Sequence, residues 1–310
     1  MRVLIAIGCN SYDHNKSLTG AEDDAKRIFS ALLRPEVGQY DKNKSRLLLS
    51  PSIQQVRDCL RKVLFDTTKI ETFTFFFAGH GGVKAGSFYM WVRDSHPVDQ
   101  SMSALSLADL FRSLNEASPR QSNIMIDACE SGGLITDLGV LLKSEVIGDA
   151  GTPALTLVAT SAQNQNALET SAGGYGTNAI LDCIEGRDFV QDNTSVLDLV
   201  EIGRRVSRRL ENSGQSPVVW GLNLYGPPSF CRNPRYASDS SAPLRNFIQN
   251  WPAANSELLR DHHDALWAAY SSLSGDWNIE KFLQVIRSVL APCVSDPSIL
   301  GAHTEGGCRN

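Results

Sequence analysis

The residues of this chain best placed to do chemistry are a cysteine that follows one apolar strand and a histidine that follows another. Asn123 to Gly133 reads Asn-Ile-Met-Ile-Asp-Ala-Cys-Glu-Ser-Gly-Gly, an apolar run that passes an acid, delivers Cys129 and stops at two glycines. Thr72 to Ala78, Thr-Phe-Thr-Phe-Phe-Phe-Ala, is a second such run and ends in Gly79-His80-Gly81-Gly82. Short apolar runs closed by glycine suit buried parallel strands. Ligands of open α/β sheets bind beyond the carboxyl ends of the strands, where both motifs fall. There an imidazole can take the proton of a thiol, and the thiolate can attack a carbonyl carbon. A single buried cysteine is more often a small hydrophobe than a nucleophile. The second motif, closing its own strand, shifts the reading towards catalysis.

The surrounding chain supplies elements able to hold these two ends together. Val3–Ile7 reads as a central strand, and Thr19-Gly20-Ala21-Glu22 has capping-box spacing before a helix built on Ala25, Ile28, Phe29 and Leu32. Arg46–Leu49 is a short strand, and Ser50-Pro51 opens a helix carrying Val56, Leu60 and Val63, with the proline suited to a first helical position. Phe88–Val92 reads as half of a hairpin outside the main sheet, and Ser106 caps a helix running through Leu114. Leu155–Ala159 and Val218–Leu224 are further strands, with helices over 177–184 and 196–210 between them. The alternation predicts an α/β fold, a mostly parallel six-stranded sheet sandwiched by helices through right-handed crossovers. Proline, serine and arginine replace periodic apolar residues near 227–243, which predicts a linker. Apolar residues recur at helical spacing beyond it, so 244–310 reads as a small helical region.

Phe-Phe-Phe-Ala-Gly-His-Gly-Gly and Asp-Ala-Cys-Glu-Ser-Gly-Gly resemble the histidine and cysteine motifs of the caspase-like cysteine peptidases, nearest the metacaspase and bacterial orthocaspase branch. The histidine precedes the cysteine by 49 positions, close to the roughly 50 of caspases. Glu130 stands where metacaspases commonly carry histidine. Gly176-Thr177-Asn178-Ala179 resembles part of a further family segment, and the likeness spans about residues 1–226, the expected peptidase domain. It implies that Cys129 is the nucleophile, His80 its partner, and the backbone N–H groups of Gly81 and Cys129 the oxyanion hole. It also implies an acidic primary pocket formed by Asp24, within Leu-Thr-Gly-Ala-Glu-Asp-Asp-Ala, and by Asp127, with Ser161 after the fifth strand beside them. Paired carboxylates bind a guanidinium bidentately, so the expected cleavage follows Arg or Lys. Bland readings stand alongside: Asp24, like Glu22 and Asp23, can complement a helix N-terminus, and Asp127 can be a turn acid.

A formal net charge of -5 argues against a nucleic-acid binder. Seven cysteines without paired metal-type spacing fit reduced thiols in a cytoplasmic protein, and Cys9, Cys59 and Cys183 read as packed. No apolar stretch approaches the roughly 20 residues of a membrane helix, and the first apolar run is too short for a signal peptide. The expected partners are protein substrates with exposed Arg or Lys and a regulator, with neither nucleic acid nor membrane. Lys143, in the loop after the cysteine, is a candidate self-cleavage point. No cofactor is expected, while calcium activation, known among metacaspases, stays open because no dense acidic loop marks it. Arg204-Arg205 with Arg208-Arg209 read as the solvated side of a helix. The rival to a peptidase is a catalytically silent scaffold of the same fold.

Overall fold

A computed structural model describes residues 1–66, 69–128, 154–160, 174–192, 194–211, 217–222 and 230–236, together with Gln284. Cys129, Lys143 and Ser161 lie outside the described residues, as does almost all of the expected C-terminal helical region. The chain divides into two compact units, Met1–Tyr236 and Ala237–Asn310.

The first unit is built on strands whose side chains are apolar on both faces. β1 (Arg2–Gly8), β2 (Arg46–Leu49), β3 (Thr72–Gly79), β7 (Gln121–Ala128), β8 (Ala154–Thr160) and β10 (Val218–Leu222) form a six-stranded sheet in the order β10-β8-β7-β3-β1-β2. Neighbours are parallel except β10, which runs antiparallel to β8 at the edge. Alternation divides each strand between two cores. Phe73, Phe75 and Phe77 pack with helices α2 (Ile53–Phe65) and α4 (Leu107–Ala117). Phe76 and Ala78 face α1 (Ala21–Leu33), α5 (Tyr175–Ile184) and α6 (Leu199–Leu210). Such doubly covered strands are the reason the sequence shows continuous apolar runs instead of alternation.

Register is pinned by a buried polar layer on the second face. Thr156 Oγ1 donates to Asn123 Oδ1 at 2.6 Å, and Tyr40 Oη pairs with Thr74 Oγ1 at 2.6 Å. A slip by one residue would carry these partners to the opposite face and leave buried polar groups unsatisfied.

A smaller sheet lies outside the main one: β4 (Gly81–Lys84), β5 (Ser87–Met90) and β6 (Leu105–Ser106), joined to α4 past the short helix α3 (Gln100–Ser103). His80 is therefore the single residue between β3 and β4. β9 (Val196–Leu197) pairs with β11 (Cys231–Arg232).

Several helix starts differ from expectation, each because a better partner is at hand. Thr19 does not cap α1: Gly20 occupies that position, Asn10 Oδ1 accepts from the Glu22 N–H, and the Glu22 carboxylate takes the Ser50 hydroxyl. The helix after Pro51 starts at Ile53, because Ser52 and Gln55 form a reciprocal capping box. Ser106 is the N-cap of α4 without a side-chain bond. Residues 196–197 are strand, since Asp198 caps α6 through the Glu201 N–H. Within the expected linker, Phe230 and Cys231 are buried and the Asn233 amide donates to the carbonyls of Gln191 and Thr194, so this part is packed chain.

Candidate active site

The order of strands in the sheet reverses at β1: the chain passes from β1 outward to β2 and returns to β3 on the other side. Such switch points leave a crevice beyond the strand ends. Tyr12, in the loop after β1, fills the crevice and fixes the histidine. Its hydroxyl donates to the Cys9 carbonyl at 2.9 Å and accepts the His80 N–H at 2.8 Å. Its ring lies 4.7 Å from the imidazole. A side chain at position 79 would place a Cβ 2.8 Å from the Tyr12 hydroxyl, so only glycine lets the tyrosine reach.

The imidazole is held at its other end by backbone. His80 Nε2 lies 2.8 Å from the Lys16 carbonyl oxygen. A carbonyl can only accept, so Nε2 carries the proton and Nδ1 keeps its lone pair as a base. Tyr12→Phe is expected to strand the Cys9 carbonyl and the His80 N–H, lowering stability by about 1–3 kcal/mol. Urea denaturation with amide exchange at His80 checks this; unchanged values for both would rule out the support.

Asp24 and Asp127 come together on the α1 and α5 side of the sheet. Asp24 projects from the first turn of α1 and is 3% exposed; its Oδ2 accepts the Gly174 N–H at 2.8 Å. Asp127, next to last in β7, receives Thr160 Oγ1 at 2.9 Å on one oxygen. Its other oxygen takes the Thr177 N–H at 2.9 Å and hydroxyl at 2.6 Å. Gly174, the N-cap of α5, has no side chain to offer, and Asp127 supplies the missing acceptor to the third residue of the helix. A Cβ on Gly174 would lie 2.6 Å from Asp127 Oδ2 and 3.1 Å from Asp24 Oδ2, so both carboxylates converge on this glycine. Arg27 reaches Asp24 at 3.4 Å while donating to Asn178 at 2.7 Å.

Burial pushes the Asp24 carboxyl up to about 7; the Gly174 hydrogen bond opposes the shift and the charge of Asp127 adds to it. Asp23 behaves differently: exposed and bonded to Lys26, it is held below the usual carboxylate range. The helix-terminus reading thus fits Asp23, while Asp24 is turned inward.

The structure brings His80, Asp24 and Asp127 to the carboxyl ends of β1, β3 and β7 and places half-buried Gly81 at the first residue of β4. Ala128 pairs in register with Gly79, so His80 and residue 129 each follow directly on paired residues of adjacent strands. Among the described cysteines, Cys9 and Cys59 are pushed up to about 11 and Cys231 to about 12 by burial, and Cys183 is also raised. None of these is poised to be a thiolate near neutral pH. Sequence reasoning missed Tyr12, the Lys16 carbonyl, Thr160 and Gly174. A backbone carbonyl carries no signal in the sequence, and a lone tyrosine or threonine in a loop or strand end is commonplace. Thr177 was legible only within the Gly176-Thr177-Asn178-Ala179 segment. Among the described residues no group of three His, Cys, Asp or Glu could hold a metal ion, and no helix is long and apolar enough to cross a membrane.

A mostly parallel, helix-covered sheet with an imidazole and two converging carboxylates at the carboxyl ends of its strands is an α/β fold that carries its polar groups at the edge where such sheets bind ligands. The caspase-domain family model matches residues 1–227, and the chain belongs to this family of cysteine peptidases. Among solved structures it is similar in fold to protein GSU0716 from Geobacter sulfurreducens. The two are 15% identical over 77% of this chain and 99% of that one, with a TM-score of 0.53. It is also similar to the Drosophila initiator caspase Dronc, at 16% identity over 71% of this chain and 79% of that one, with a TM-score of 0.48. No curated protein matches the chain.

Proposed function

We propose that the protein is a cysteine endopeptidase of the metacaspase and orthocaspase type, cutting after Arg or Lys with Cys129 as nucleophile and His80 as base. The observation that carries this reading is the pair of carboxylates, Asp24 and Asp127, converging on Gly174 on the same edge of the sheet as His80. Two acids with one cationic neighbour, Arg27, leave the site acidic on balance, the more so above about pH 7 where Asp24 is ionised. A guanidinium or ammonium group is the complement of that charge.

His80 Nδ1 takes the thiol proton, and the Cys129 thiolate attacks the carbonyl after the Arg or Lys residue. The oxyanion is held by the N–H groups of Gly81 and Cys129. Collapse of the tetrahedral intermediate expels the amine, which leaves with the proton from His80, and water then hydrolyses the thioester. Ser161 is proposed as a further wall of the pocket and Lys143 as a self-cleavage point. A regulated role in bacterial stress or defence, in the cytoplasm, completes the proposal, with protein substrates and a regulator as partners.

The test is cleavage of peptide reporters ending in Arg, Lys or Asp, with and without calcium, by wild type and Cys129→Ala. Cleavage after Arg or Lys that is lost in Cys129→Ala is the expected result. Cleavage confined to Asp would overturn the pocket assignment. Hydrolysis that survives in Cys129→Ala would overturn the nucleophile.

A further inference from the structure

Two histidines outside the candidate catalytic pair come together from separate loops. His14 follows β1 and is exposed, and His96 lies between β5 and α3 and is half-buried. Their ring centroids are 4.7 Å apart, with the planes at 69°. Two imidazoles bonded to one tetrahedral ion at about 2.0–2.1 Å set their centroids roughly 5 Å apart, so a small turn of the exposed His14 side chain lets the pair share an ion. An edge-to-face ring contact would account for the separation, but not for the carboxylate beside one ring. Asp99 Oδ1 lies 3.4 Å from His96 Nδ1.

His96 is held in place by its neighbours. Its N–H donates to Ser103 Oγ at 2.8 Å, while the buried Ser95 hydroxyl accepts the Val92 N–H and donates to the Ser103 carbonyl, each at 2.8 Å. The loop of His14 is tied to the same segment, because the Asp13 N–H donates to the Arg93 carbonyl at 2.8 Å. His96 Nδ1 accepts the Val98 N–H over 3.3 Å, so the neutral ring carries its proton on Nε2. An ion at Nε2 moves that proton to Nδ1, where the Asp99 carboxylate accepts it, and the ring changes tautomer without losing a proton. Carboxylates behind ligating imidazoles fix the ring and raise its basicity in just this way.

We propose that His14 and His96 bind one divalent ion of the zinc class, with Asp99 orienting His96 and water completing the coordination. Imidazole nitrogen suits zinc, nickel and copper, whereas calcium takes oxygen ligands. Two protein ligands, with no group of three His, Cys, Asp or Glu among the described residues, make this an exchangeable site and not a closed structural one. Its place in the chain gives occupancy a consequence. His14 lies between Tyr12, whose hydroxyl accepts the His80 N–H, and Lys16, whose carbonyl accepts from His80 Nε2. An ion shared with His96 fastens this stretch to the loop after β5 and stiffens the support of His80.

The probe is zinc itself, measured by competition with a chromogenic chelator on the full chain carrying Cys129→Ala, which removes that thiol as a ligand. Zinc is expected to bind with a micromolar dissociation constant that excess calcium does not change. Affinity is expected to fall about tenfold or more in His14→Gln and in His96→Gln, and about tenfold in Asp99→Asn. His14→Cys is expected to restore binding, since a thiolate also ligates zinc, a rescue that a misfolded chain would not show. Zinc is further expected to slow amide exchange over the loop that carries Tyr12 and Lys16, and to leave it unchanged when His14→Gln and His96→Gln are combined. Absence of zinc binding, or binding that both glutamine variants retain, would overturn the site. Loss of binding in His80→Ala with retention in His14→Gln would assign the ion to the candidate catalytic pair instead. Binding without slower exchange would overturn the fastening of the loop.

Discussion

His80→Ala is expected to lower kcat/KM for peptide cleavage by about a thousand-fold or more with little change in stability, since it removes both base and proton donor. The side chain is half-buried and makes its hydrogen bond to the Lys16 carbonyl at the rim, while the backbone position is held separately by Tyr12. Fold and chemistry are thus separable at this residue. On the proposed mechanism the variant should also need a higher pH for Cys129 to be alkylated, because no imidazole is left to take the thiol proton. Steady-state kinetics and alkylation rates against pH check both effects. Activity within tenfold of wild type would remove His80 from the mechanism.

Neutralising the acid pair is expected to uncouple activity from stability. Asp127→Asn and Asp24→Asn should each lower kcat/KM for Arg reporters by roughly a hundred-fold, the scale of losing one partner of a buried charge pair. The two should differ in stability. Asp24 is pushed up to about 7 by burial, from 3.8, so the folded state holds a proton that the unfolded chain releases between these values. Stability from this group is therefore greatest at low pH and is lost as pH rises to about 7. Asp24→Asn should then be more stable than wild type at pH 8, on the order of 2 kcal/mol, with the advantage gone in acid. Asp127 instead accepts three hydrogen bonds from Thr160 and Thr177, so the same change there should cost stability or leave it level. In the wild-type enzyme, KM for Arg reporters should rise as pH falls through about 7, as Asp24 takes up its proton. Chemical denaturation across pH and kinetics with Arg reporters decide the matter. Wild-type cleavage by Asp24→Asn would reduce that acid to a tether for α5.

Local chemistry made much of this legible in advance. Runs such as Thr-Phe-Thr-Phe-Phe-Phe-Ala read as strands because residues covered on both faces leave a continuous apolar signal, and His80 and Cys129 were singled out by the glycines that close their strands. Helix starts were less legible. The Thr19 spacing fits a capping box, yet Asn10 accepts the Glu22 N–H and Ser50, distant along the chain, donates its hydroxyl to the Glu22 carboxylate.

The sequence by itself determined the α/β alternation, the order of the motifs and the residue types able to do the chemistry, because these depend on period, turn residues and composition over a few neighbouring positions. Only the tertiary structure decided that Asp24 turns inward while Asp23 stays in water, that the Lys16 carbonyl sets the tautomer of His80, and that Arg205 and Arg209 pair with Asp188 and Asp182. Each of these turns on a partner brought close by strand order and helix packing. The strength of a charge or hydrogen bond depends on distance and burial, which neighbouring letters do not record.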